Sequence, residues 1–177
     1  GMCVVDACAG AGGKTLHLAA LMKNKGQIIA LDIYEWKLAE LKRRAKRAGA
    51  HNIETRFIED NKVIKRLHEK ADRLLIDAPC SGLGVLKRNP DSKWKIDQDF
   101  IDRIKNEQQQ ILQDYSKMLK KGGKMVYATC SILPSENNEQ VETFLKNNEG
   151  FTLLKEEKVM PSDGFDGFYM ALIQRNA

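Results

Sequence analysis

The sequence predicts an α/β fold, a mostly parallel sheet of seven strands with helices on both faces. Three observations carry that expectation. Short apolar runs alternate with longer stretches whose apolar residues recur at helical spacing. The first run opens into a glycine-rich turn, Asp6 to Thr15, D-A-C-A-G-A-G-G-K-T. Four runs end on a chemically capable residue: Asp6, Asp32, Asp77 and the pair Thr129-Cys130. Strand–helix alternation gives parallel sheets with right-handed crossovers, and such sheets bind ligands beyond the carboxyl ends of their strands.

The elements follow in order. Met2 to Ala7 reads as a buried strand and Lys14 to Met22 as a helix. Gln27 to Asp32 is a second apolar run, and Trp36 to Ala48 a helix with Leu38, Leu41 and Ala45 on one face. Ile53 to Ile58 and Arg73 to Asp77 are the third and fourth strands. From Asp99 to Leu119 the apolar residues fall near helical spacing, and Gly122-Gly123 is expected to end that helix, since glycine relieves the steric cost at a C-cap. Lys124 to Thr129 is the fifth strand, and Pro134-Ser135 opens a helix carrying Val141, Phe144 and Leu145. Two β-like runs, Phe151 to Leu154 and Phe168 to Ile173, complete the seven.

With 177 residues the chain is the size of one domain. No apolar run approaches the roughly 18 residues a membrane span requires, and no leader pattern is visible, so the expectation is a cytoplasmic protein without a membrane partner. The net charge of +5 leans weakly toward a polyanionic partner. Four cysteines occur (Cys3, Cys8, Cys80, Cys130), none in a C-x-x-C pair and none beside the three histidines, so no metal site is expected. Any one of them alone reads first as a small buried hydrophobe.

In the glycine-rich turn, Gly10, Gly12 and Gly13 permit close backbone approach to a ligand, and the helix starting near Lys14 offers its partly positive end. That geometry suits a carboxylate as well as a phosphate. Gly13-Lys14-Thr15 matches the end of a P-loop, but the required first glycine is replaced by Cys8. Asp32, about 20 residues on, is placed to hydrogen-bond ribose hydroxyls. An adenosine-containing cofactor without a triphosphate fits both features. Asp60, just past the third strand, is a weaker candidate for the adenine edge.

Asp77-Ala78-Pro79-Cys80-Ser81-Gly82 and Thr129-Cys130-Ser131 each follow a strand and deliver two thiols to the same sheet edge. Together with the turn and the run A-T-C-S-I-L-P-S-E-N, they resemble the Sun-type (NSUN) RNA 5-methylcytosine methyltransferases, bacterial 16S ribosomal RNA branch. The resemblance runs from Asp6 to Tyr169. It implies a Rossmann-like class I methyltransferase fold with S-adenosylmethionine as cofactor. Cys8, Ala9, Gly10, Ala11, Gly12, Gly13 and Lys14, with Asp32, Asp60 and Asp77, would line the cofactor pocket. Cys130 would be the nucleophile, Cys80 would assist product release, and Asp77 would also meet the target base. The family turn usually reads C-A-A-P-G-G-K, whereas this chain has Gly10 and Ala11 in place of Ala and Pro, which loosens the turn when it is empty.

The chemistry explains the thiols. Cytosine C5 is too weak a nucleophile to take a methyl group unaided, and thiolate addition at C6 turns the ring into an enamine. Cysteine both adds well and leaves well. RNA, ribosomal before transfer, is the implied partner. Lys87, Arg88, Lys93 and Trp94, in the loop V-L-K-R-N-P-D-S-K-W-K, combine cations for phosphates with an aromatic for stacking; a solvated loop with Trp94 tucked into the core is the competing reading. Residues 1–177 are read as one catalytic domain lacking an N-terminal RNA-recognition region. Two alternatives stay open: a P-loop-like nucleotide-binding enzyme, and a non-catalytic RNA-binding scaffold that retains the cofactor pocket.

Overall fold

The computed structural model describes residues 1–177. Seven strands, β1 (Cys3–Asp6), β2 (Gln27–Asp32), β3 (Ile53–Phe57), β4 (Ala71–Asp77), β5 (Leu119–Thr129), β6 (Phe151–Val159) and β7 (Phe168–Arg175), form one sheet in the order β3-β2-β1-β4-β5-β7-β6. The first five run parallel. β7 lies antiparallel between β5 and β6. The order reverses between β1 and β4, so the chain's crevice opens at the carboxyl ends of β2, β1, β4 and β5.

Six helices cover the sheet: α1 (Gly13–Leu21), α2 (Glu35–Arg47), α3 (Asn61–Arg66), α4 (Ser92–Lys95), α5 (Gln98–Tyr115) and α6 (Asn138–Asn147). Val4 and Val5 of β1 and Ile28, Ile29, Ala30 and Leu31 of β2 are buried in succession, because central parallel strands have both faces covered. α2 buries Leu38, Leu41 and Ala45 and keeps Lys42, Arg43, Lys46 and Arg47 in water. On the opposite layer Leu112, Tyr127, Phe144 and Tyr169 share the main core, with Phe144 packed edge-on against Phe151. No helix is long and apolar enough to cross a membrane.

Two expectations are corrected. The long helix ends at Tyr115 rather than Leu119, and Gly122-Gly123 lies within β5 instead of capping it. Ala71 pairs with Leu119 but Arg73 pairs with Lys124, so two steps along β4 match five along β5. The surplus loops out with Gly122 at φ +73°, a conformation glycine adopts without strain. Two short helices also stand where loops are expected. Asp60 starts α3 by accepting a hydrogen bond from the Lys62 amide, and α4 occupies the basic loop.

Candidate active site

The strand ends build the site. Asp6, Asp32, Asp77 and Thr129 are the last residues of four strands adjacent in the sheet. Between them and α5 lies a cleft of about 580 Å³, lined among others by Cys8, Gly10, Asp32, Tyr34, Asp77 and Cys80. That volume is in the usual range for a small-molecule site. α5 closes it with Phe100, Ile104, Glu107 and Ile111.

The glycine-rich turn is tied down from two sides. Asp32 accepts a hydrogen bond from the Gly10 amide at 2.8 Å through one carboxylate oxygen and from the Tyr34 amide at 2.8 Å through the other. Arg44 donates to the Ala11 carbonyl at 2.7 Å. These tethers restrain the turn at the two positions where the family's usual Ala-Pro is absent. Gly12 sits at φ +87°, and a Cβ there would come within 2.5 Å of Leu41 Cγ, so both backbone and neighbour require glycine. α1 begins at Gly13 with no side-chain cap, so its first amides are available to an anionic group.

Acidic groups dominate the cleft. Asp32, Asp77, Glu107 and Asp114 line it, against Lys37 as the one lining cation. Lys14, beside it, is engaged with Asp77 at 2.5 Å and lies 5.3 Å from the Phe168 ring centroid. Behind the turn, Asp6 is fully buried, accepts from Thr15 Oγ1 at 2.7 Å, and keeps its Oδ1 without a partner. Burial pushes its pKa up to about 6. Four carboxylates repel a triphosphate and favour a cationic ligand with an apolar body and hydroxyls. This electrostatic field and Cys8 at the P-loop's first glycine count against the nucleotide triphosphate reading.

The thiols meet at the mouth of the cleft. Cys80 and Cys130, both half-buried, hold their sulfurs 3.3 Å apart. The hydrogen bond from Cys80, with help from Lys14, draws the Cys130 thiol down to about 7 against the opposing pull of burial and Asp77. Cys80 moves the other way, held protonated by the same hydrogen bond and by burial. Of the two, Cys130 is therefore the more readily ionised, while Cys80 keeps its proton. Burial, reinforced by Asp6, keeps the Cys8 thiol protonated, and it contributes its wall to the cleft rather than a nucleophile.

Backbone contacts fix the surroundings of Cys130. The Gly84 amide donates to the Cys130 carbonyl at 2.9 Å, and the Gly167 amide donates to the Gly84 carbonyl at 2.8 Å. A Cβ on Gly84 would lie 2.1 Å from the Gly167 oxygen, so the two segments touch backbone to backbone.

The remaining sequence candidates fall around this centre. Asp60 caps α3 and pairs with Lys62 at 3.0 Å, beside Ile58 and Asn61, which do line the cleft. Lys87, Arg88, Lys93 and Trp94 are all exposed, Trp94 at 80%, which overturns its reading as a core residue. Arg88 pairs with Asp166, and Lys93 lies 4.8 Å from the Trp94 ring centroid. Sequence reasoning missed the α5 wall, because Ile104 and Ile111 read as ordinary core spacing. It also missed Tyr34, whose signal was an aromatic two residues past the strand-end acid.

Comparison with known proteins shows the family and the fold. The model of the family described as 16S rRNA methyltransferase RsmB/F matches residues 1–174. The probable ribosomal RNA small subunit methyltransferase B of Bacillus subtilis (strain 168) is 40% identical over 149 residues, covering 84% of this chain and 33% of that protein. The ribosomal RNA small subunit methyltransferase B of Proteus mirabilis (strain HI4320) is 37% identical over 175 residues, covering 97% of this chain and 41% of that one. The solved structure of NSun6 from Pyrococcus horikoshii superposes with a TM-score of 0.88 at 29% identity, covering 99% of this chain and 48% of that chain. This chain thus spans between a third and a half of the length of these relatives. With its sheet order, its tethered glycine turn and its match over nearly every residue, the chain belongs to the RsmB/F family of 16S rRNA methyltransferases.

Proposed function

We propose that the chain carries the catalytic centre of an S-adenosylmethionine-dependent RNA (cytosine-5-)-methyltransferase acting on ribosomal RNA. One observation carries the reading: two thiols 3.3 Å apart, one of them lowered to about 7, stand at the rim of an acidic cleft. The residues fit the cofactor. Asp32 retains lone pairs for ribose hydroxyls beyond the two amides it already holds, the uncapped start of α1 suits the methionine carboxylate, and the carboxylates favour a cation. S-adenosylmethionine, when bound, supplies the methyl group.

The chain's own residues then divide the work. Cys130, as thiolate, adds to C6 of an unstacked cytosine, and the electron pair moves to C5, which takes the methyl group. Loss of the C5 proton to a base lets the S–C6 bond break and restores the aromatic ring with Cys130 free. Cys80, a hydrogen-bond donor to that sulfur, is assigned to this release step. Asp77, beside both Lys14 and the thiols, orients the base. Lys87, Arg88, Lys93 and the exposed Trp94 provide phosphate contacts and a stacking surface.

Methyl transfer from labelled S-adenosylmethionine to unmodified ribosomal and transfer RNA, by the full-length protein, tests this directly. Label in 5-methylcytidine of ribosomal RNA is the expected result. Label in any other nucleoside overturns the mechanism.

A further inference from the structure

One buried carboxylate has no task in that reaction. Glu136 ends the 3-10 turn Pro134–Glu136, is completely buried, and forms no ion pair. Burying a carboxylate is costly unless its lone pairs are satisfied, and removing the charge in favour of apolar packing is often neutral or better. Glu136 is satisfied entirely by neutral donors. One oxygen accepts from the Ser81 amide at 2.7 Å and from Gln108 Nε2 at 3.1 Å. The other accepts from Ser81 Oγ at 2.5 Å and from Ser131 Oγ.

Those two serines directly follow the two cysteines. Ser81 succeeds Cys80 on the loop after β4, and Ser131 succeeds Cys130 at the end of β5. Their hydroxyls are 3.2 Å apart, as the sulfurs are 3.3 Å apart. The same arrangement is extended on each side. Gln108 also donates to the Pro79 carbonyl at 2.9 Å, just before Cys80. Asn137 donates to the Ser131 carbonyl at 3.0 Å and accepts from Thr129 Oγ1, bracketing Cys130. Tyr127 anchors the turn by donating to the Glu136 carbonyl at 2.8 Å.

We propose that Glu136 is a positioning residue that registers the Cys80-Ser81 loop against the Cys130-Ser131 loop and so sets the separation of the two thiols. A single carboxylate oxygen can accept hydroxyls from both loops at once, while its partner oxygen holds a backbone amide and Gln108. No apolar or cationic side chain can make that junction. The inference rests on the proposed methyl transfer only for why the thiols must meet; the junction itself is independent of any substrate.

The test is the pH dependence of Cys130 alkylation by iodoacetamide, followed by mass spectrometry of the Cys130 peptide in Glu136→Gln, Ser81→Ala and Ser131→Ala. Lost registration weakens the Cys80–Cys130 hydrogen bond, so the labelling midpoint should rise by about one unit in Glu136→Gln and labelling at pH 7 should fall about fivefold. Removing a nearby negative charge would by itself lower the midpoint, so an upward shift reports geometry rather than charge. Asp77 and Lys14, which also face Cys130, are unchanged in every variant. The serine variants should shift the same way by less, and they carry the test if Glu136→Gln does not fold. Variants that lose thermal stability yet keep the wild-type midpoint overturn the proposal. Absence of methyl transfer by the wild-type full-length protein, alongside shifted midpoints in the variants, would refute the proposed function and leave the positioning role standing.

Discussion

Cys80 and Cys130, 50 residues apart in the chain, bring their sulfurs within 3.3 Å because β4 and β5 are neighbours in the sheet. Asp77 pairs with Ala128 at the ends of these strands, and the Ala78 amide continues the ladder to the Ala128 carbonyl at 2.8 Å. Each cysteine is then two or three residues beyond a fixed backbone register. The sheet therefore brings the two loops together, and the contacts beyond its last rung set the final separation of the thiols.

Exchange of each cysteine should give opposite phenotypes. Cys130→Ala is expected to abolish methyl transfer while S-adenosylmethionine still binds, as read by calorimetric titration. Cys80→Ala should allow addition but block release, leaving a covalent RNA–protein adduct visible as a slow band on a denaturing gel. Normal turnover in Cys130→Ala would reassign the nucleophile.

The unequal thiols predict a second effect. Without Cys80 the Cys130 thiol loses its hydrogen-bond donor and its pKa should climb from about 7 toward the ordinary 9.0. At pH 7 its thiolate fraction then falls from about half to a few per cent, and alkylation slows at least about tenfold. Rates measured from pH 6 to 9 in Cys80→Ala give the new midpoint.

Gly12→Ala places a Cβ at φ +87° and against Leu41. The strain is worth about 1–3 kcal/mol, and the turn must shift to relieve it. Thermal unfolding should show a lower midpoint, and titration with S-adenosylmethionine a weaker affinity.

Asp6 predicts a pH effect on stability. Burial holds its proton to about pH 6, against an ordinary value of 3.8. Between those values the folded protein keeps a proton that the unfolded chain has released, so folding loses stability as pH rises through that window. Asp6→Asn cannot titrate. Relative to wild type it should therefore gain about 1–3 kcal/mol between pH 4 and pH 7 in unfolding series at several pH values. A constant difference across that range would show that Asp6 is charged in the fold throughout.

The strand ends were readable in the sequence because an aspartate closing an apolar run marks where a buried strand leaves the core. Asp6, Asp32, Asp77 and Thr129 all terminate strands, and the two cysteines follow as their spacing suggests. The α5 boundary was less readable, because Leu119 continues the helical apolar period and only the pairing of Ala71 with Leu119 makes it strand. Trp94 could be read as core or as surface, since a lone aromatic in a basic loop has no periodicity to place it. Glu136 was visible only as one letter of a motif. Its partners Ser81 and Gln108 lie 55 and 28 residues away, and no local pattern announces a contact of that kind.

β7 is the last strand in the chain yet enters the sheet between β5 and β6. It carries with it the Gly167 amide that completes the backbone clasp on Gly84 and, through it, on Cys130. Without β7, β5 would lose its neighbour on that side and the Cys130 carbonyl would be held by Gly84 alone. The segment leading into β7 closes the clasp from the other side. The frame around the two thiols thus depends on β7 as well as on β4 and β5, and a chain clipped before Gly167 would carry both cysteines without that backbone clasp.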